Sequence, residues 1–141
     1  PPSIGILIEN PSFVAEYTGL KNLEMLACIK NKIEIEDIRH AMEQVGLDPD
    51  DKRTYKKYSL GMKQKLGIAA AFMEKPDIII LDEPINALDE VGAKQVHKIL
   101  EEQKKRGALI IIACHDKEEL EMLSDEIIEI YEGRIVAGEK E

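Results

Sequence analysis

Two kinds of apolar pattern alternate along this chain: short unbroken runs, and longer stretches with helical spacing. Ile4-Gly-Ile-Leu-Ile8 is the first run, and Glu9-Asn10-Pro11 closes it, which predicts a strand followed by a loop. Thr18 then offers a helix N-cap, with Leu20, Leu23, Leu26 and Ala27 on one stripe to about Ile29. A second helix is predicted from about Ile35 to Val45, with Ile38, Ala41, Met42 and Val45 on one face and Gly46 to end it. Asp48 to Tyr58 is polar and reads as irregular. A third helix starts at Ser59 and runs to about Glu74, where Pro76 prevents extension. The run at 78–82 follows directly. A fourth helix is predicted from about Glu90 to Lys105, with Val91, Val96, Ile99 and Leu100 inward and Gly107 beyond its end. Ala108 to Ala113 is a second fully apolar strand. Asp116 with Glu119 resembles a capping box for a short helix to about Ser124. Glu126 to Tyr131, the turn Glu132-Gly133, and Arg134 to Ala137 read as a hairpin. Strand, helix, strand, helix, strand is the pattern of a parallel sheet with right-handed crossovers. The two helices between Thr18 and Val45 form a helical block apart from it.

The chain is organised around Asp77-Ile-Ile-Ile-Leu-Asp-Glu-Pro84. Five residues from Ile78 are too few for an independent helix, three are β-branched isoleucines, and Pro76 and Pro84 bracket them. The expectation is a strand buried on both faces in the middle of a parallel sheet. Asp82 and Glu83 fall at its carboxyl end, the edge where ligands bind in open α/β sheets. An acid pair there is costly unless a cation or polar substrate meets it; two solvated acids capping an ordinary strand are the alternative.

Composition narrows the class. The 141 residues are 44% hydrophobic and 33% charged, without tryptophan, which suits one α/β domain or a piece of one. No apolar run approaches the roughly 20 residues that span a bilayer. Cys28 and Cys114 lie outside any metal-type spacing and read as reduced thiols of a cytoplasmic protein. A net charge of −9 argues against nucleic acid as a partner. The charge is uneven: Lys52 to Met73 contains six Lys or Arg residues and no acid. That stretch is either a solvated basic face or a phosphate-facing edge. Ser59, with the helix N-terminus behind it, makes an anion site, although serine N-caps are common for structural reasons alone.

A serine-capped glycine helix, an aspartate–glutamate strand end and a histidine strand end at His115 follow one another at short spacing. This set resembles the ATP-binding cassette family of ATPases over almost the whole chain. Tyr58-Ser-Leu-Gly-Met-Lys-Gln64 is similar to that family's signature loop, and Asp77 to Pro84 to its Walker B strand. Asn86-Ala-Leu-Asp89 resembles the D-loop, His115 the switch histidine, and residues 6–13 the loop that usually carries a glutamine. The wording around these motifs is most similar to bacterial exporters of the bacitracin and lantibiotic resistance type. The implied fold is a P-loop NTPase-like α/β architecture: a mostly parallel sheet with flanking helices plus an α-helical subdomain. About 12–75 would be the helical subdomain with the signature loop, and about 76–141 part of the catalytic core.

The resemblance also implies roles, with ATP and Mg²⁺ as cofactors. Asp82 would hold Mg²⁺ through water, and Glu9, in the place of the loop glutamine, would contact the metal and the nucleotide. Glu83 would orient and deprotonate the attacking water, and His115 would contact the γ-phosphate. Ser59, Leu60, Gly61 and Met62 would grip the γ-phosphate of ATP held by a second copy in a head-to-tail dimer, and Asp89 would lie at that seam. The helical block would sit against a transmembrane permease, placing the protein peripherally on the inner face of the plasma membrane. Three departures stand out. Glu9 replaces the usual glutamine, and Leu60 and Met62 replace a glycine and a glutamine of the commonest signature. No G-x-x-x-x-G-K-[ST] occurs in the chain. The expectation is therefore an N-terminally truncated piece, inactive alone, whose uncovered strands drive dimerisation, strand exchange or low solubility. Two alternatives are a non-catalytic nucleotide-sensing or dimerisation module, and a soluble cassette ATPase of translation or DNA repair.

Overall fold

Three parallel strands form the central sheet: β1 (Ile4–Leu7), β2 (Ile78–Asp82) and β3 (Leu109–Ala113), with β2 in the middle. The computed structural model describes residues 2–9 and 11–140. The helices are α1 (Gly19–Lys30), α2 (Ile35–Gln44), α3 (Leu60–Phe72), α4 (Glu90–Lys105) and α5 (Lys117–Leu123). β4 (Glu126–Tyr131) and β5 (Arg134–Lys140) form a separate antiparallel hairpin, longer than the sequence pattern suggested and carrying a bulge between Glu129 and Ile130.

Pairing in the sheet is in step. Gly5 lies opposite Ile79 and Leu7 opposite Leu81, while Ile79 and Leu81 face Ile110 and Ile112. Because side chains alternate along a strand, these residues share one face. That face packs on α3, where Gly5 matters: a methyl group at that position would sit 1.7 Å from the Ala71 carbonyl oxygen. Ile79 and Leu81 are each 1% exposed. The opposite face behaves differently. Ile78 and Ile80 are only half-buried, and Ile4, Ile6, Leu109 and Ile111 are exposed. The expectation of a strand buried on both faces is thus corrected: among the described residues, helices cover one side only.

The helix boundaries follow from the caps. Thr18 accepts from Lys21 N at the start of α1, Ser59 from Met62 N at α3, and Asp89 from Gly92 N at α4. At α2 the Asp37 carboxylate accepts from the Glu34 amide at 2.9 Å, the return half of a capping box. At α5 the Asp116 carboxylate accepts from Glu119 N, whereas Glu119 Oε1 is buried with no partner, so only half of the expected box forms. The buried stripe of α4 is Gly92, Val96, Ile99, Leu100 and Gln103. Val91 lies off it and is exposed, contrary to its expected inward position, because helical spacing sets it on the flank of that stripe.

The segment at 48–58 is less irregular than its polarity suggests. Tyr55 opens a single 3₁₀ turn and is buried, as is Tyr58. The Phe13 ring meets Tyr55 edge-on at 5.3 Å. Tyr55 N donates to Tyr17 O and Lys56 N to Ala15 O, which stitches the loop after β1 to the segment leading into Ser59. Asn22, buried in α1, fastens the same loop by accepting from Val14 N and donating to the carbonyls of Val14 and Thr18.

Candidate functional site

The carboxyl ends of β2 and β3 bring the acids and the histidine together. Asp82 ends β2 opposite Ala113 and is half-buried. The next residue, Glu83, turns out of the strand with φ of 47°, in the left-handed region. A residue with a Cβ pays about 1–2 kcal/mol for that conformation, so the surroundings must hold it there. Its amide donates to Ala113 O at 2.8 Å. Its side chain receives the His115 amide at 3.2 Å on Oε1, and the same oxygen contacts His115 Nδ1. The imidazole is almost fully exposed while Glu83 is 29% exposed. The hydrogen bond to Glu83, and then its negative charge, raise the His115 pKa above the ordinary imidazole value, with Asp82 adding to the same effect. The pair is therefore an imidazolium–carboxylate contact over a wider pH range than a free histidine would allow.

Cys114, between β3 and His115, is the opposite case. Burial pushes its thiol up to about 11, so it is an inert thiol at neutral pH.

The first turn of α3 supplies the anion-binding element. Ser59 has an extended backbone, and its Oγ accepts from Met62 N at 3.1 Å. The amides of Leu60 and Gly61 have no intrahelical acceptor, and no acid lies in the first turn. Leu60 is exposed; Met62 is partly buried and packs against the core. Gly61 has a structural reason beyond phosphate approach, since a methyl there would lie 3.1 Å from the Ala87 carbonyl oxygen. Lys63 lies over the Tyr55 ring at 5.1 Å, so one cation of the basic stretch is used inside the chain. Asp89 is occupied as the α4 cap, accepting from Gly92 N at 2.7 Å.

The predicted residues fall into linked and unlinked groups. Asp82, Glu83 and His115 are brought together. Ser59, Leu60, Gly61 and Met62 form one helix start. No hydrogen bond or ion pair joins Glu9, which has φ of 55°, to the acids or to His115 among the described residues. The residue that ties the groups together, Gln64, received no role from the sequence. Its only signal was a neutral polar side chain between two lysines, one turn into the helix. Gln64 Nε2 donates to Glu83 O at 3.2 Å and to Pro84 O at 3.0 Å.

A parallel sheet covered by helices on one face, with an acid pair and a histidine at adjacent strand ends and a serine-capped helix joined to them through Gln64, defines an α/β nucleotide-binding type of protein. The ABC transporter family model matches residues 1–86, and the chain belongs to that family. It is 46% identical over 140 residues to the uncharacterized ABC transporter ATP-binding protein YybJ of Bacillus subtilis (strain 168), covering 99% of this chain and 64% of that protein. It is 40% identical to the bacitracin transport ATP-binding protein BcrA of Enterococcus faecalis, covering 94% of this chain and 44% of that one. A solved structure, described as the ATP binding subunit of an ABC transporter, superposes with a TM-score of 0.87 at 27% identity, covering 96% of this chain and 58% of that one. The chain thus spans between about two fifths and two thirds of the length of these proteins. The expected cassette fold is the observed one.

Proposed function

We propose that the protein is the ATP-hydrolysing subunit of a membrane transporter, working as a head-to-tail pair of cassettes and bound to a transmembrane permease. The observation that supports it best is the Glu83–His115 contact at the tips of adjacent parallel strands. It sets a carboxylate and a proton-bearing ring where a water and a terminal phosphate would meet. No helix among the described residues is long and apolar enough to cross a membrane, which suits a subunit that reaches the bilayer through a partner. We assign about 12–75 to a helical unit turned to the permease and about 76–141 to part of the catalytic core.

In this mechanism Glu83 orients the attacking water and accepts its proton. His115, charged beside Glu83, donates toward the γ-phosphate and offsets charge as it builds. The free amides at the start of α3, with the helix dipole behind them, bind the γ-phosphate of the nucleotide on the facing copy. Asp82 fits a magnesium ion: it is one half-buried carboxylate, and no cluster of three or more His, Cys, Asp or Glu forms a cage among the described residues. Magnesium favours one or two carboxylates, retained water and substrate phosphates over an all-protein cage, and would supply positive charge against the triphosphate. Glu9 would stand at the permease-linked loop. The cargo of this reading is a peptide antibiotic, in line with the bacitracin transport of the relative BcrA.

The test is Glu83→Gln in the protein at its native length. ATP binding should stay within a few-fold of wild type while turnover falls by about 10²–10⁴. Turnover at the wild-type rate would remove Glu83 from this role.

A further inference from the structure

Gln64 stands five residues along the chain from Ser59, about 7 Å of helix rise at 1.5 Å per residue. Its amide nitrogen has two hydrogens, and they go to two consecutive carbonyls, Glu83 O and Pro84 O. Those carbonyls form the left-handed turn that aims the Glu83 carboxylate. Glu83 is consequently held from three directions: its amide by Ala113 O of β3, its side chain by His115, and its carbonyl by α3. The same stretch of α3 meets the segment after the turn twice more. Gly61 lies under the Ala87 carbonyl, and a methyl at Gly92 would come 3.3 Å from the Lys65 side chain. Pro84 is fully buried, so the turn has little freedom of its own once Gln64 grips it.

We propose that Gln64 is a positioning residue, a latch that fixes the Glu83–Pro84 turn to the helix beginning at Ser59. A shift of α3, such as a ligand at its N-terminus would cause, reaches Glu83 through two hydrogen bonds and no intervening loop. In this reading Gln64 acts through Glu83 and not on the reacting atoms. This inference rests on the reading of Glu83 as the group that acts on the water.

The experiment compares Gln64→Glu, which keeps size and packing but sets an acceptor against two carbonyls, with Gln64→Lys, which keeps a donor. Both are made in the native-length protein. Steady-state ATP hydrolysis is measured together with amide hydrogen exchange of residues 80–88. Gln64→Glu should lower kcat at least tenfold with KM for ATP within twofold, and should speed exchange in 80–88; Gln64→Lys should recover most of both. Unchanged exchange in Gln64→Glu overturns the latch, as does a lysine variant that falls as far as the glutamate one; faster exchange with wild-type kcat overturns the positioning role. If wild type shows no turnover, the hydrolytic reading fails by itself, and exchange in the two variants still decides whether the latch exists.

Discussion

The two faces of the central sheet are built from the same kinds of residue and end in different states. Leu81 and Ile79 on one side are 1% exposed beneath α3, whereas Ile111 and Ile6 on the other are 49% and 51% exposed. Apolar content therefore does not decide burial; the presence of a covering layer does. The covered face also positions the chemistry, because α3 sits on it and delivers both the Ser59 helix start and the Gln64 side chain to the ends of the strands.

The largest expected effect breaks this comparison directly. Leu81→Ala should cost about 2–5 kcal/mol, the transfer loss plus a cavity that close-packed neighbours cannot fill. Ile111→Ala on the open face should cost about 1 kcal/mol or less, since roughly half of a buried isoleucine's contribution is already missing. Urea midpoints at matched slope give both values. Equal losses would mean that the open face is covered in solution.

The second prediction follows from that possibility. Ile4, Ile6, Leu109 and Ile111 line one side of the sheet at 44–58% exposure, and contiguous apolar surface of this kind promotes association. The 141-residue chain should scatter light as dimers or larger species at high concentration. The double change Ile6→Thr and Ile111→Thr should move it toward the monomer with little loss of folded stability. A wild-type chain that stays monomeric would show that the open face is inert.

The contrast also shows what the sequence could and could not reveal. Thr18 and Ser59 mark helix starts because a side-chain oxygen satisfies backbone amides locally, and local bonds are legible in order along a chain. The strand at 78–82 and the acids at its end were equally legible, since short β-branched runs bracketed by prolines have few alternatives. One-sided burial was not, because it depends on which elements lie above the sheet. Val91 misled because two adjacent helix positions read alike in composition yet point about 100° apart. Tyr55 and Tyr58 hid in a polar segment whose bonding partners, Ala15 and Tyr17, are some forty residues away. Gln64 was missed for the same reason: its acceptors are 19 and 20 residues further on, and only the assembled fold brings them to α3.

The smallest effect sharpens the comparison at the strand tips, where burial gives little protection. His115 is 98% exposed, so its contact with Glu83 adds little to stability in water, yet it moves the titration. The hydrogen bond and charge of Glu83 raise the His115 pKa above the ordinary 6.5. A raised folded-state value means that the contribution is complete below the unfolded-state pKa and is lost as pH rises through the folded one. The window thus opens near pH 6.5 and extends upward. Proton NMR should place the His115 midpoint above the ordinary imidazole value in wild type and return it toward that value in Glu83→Gln, where the amide keeps an oxygen acceptor but loses the charge. Exposure lets salt compete with a charged pair, so the difference between the two proteins should shrink as ionic strength increases. A wild-type midpoint at or below the ordinary value would mean that the two side chains are independent charges, leaving Glu83 held by the sheet and Gln64 alone.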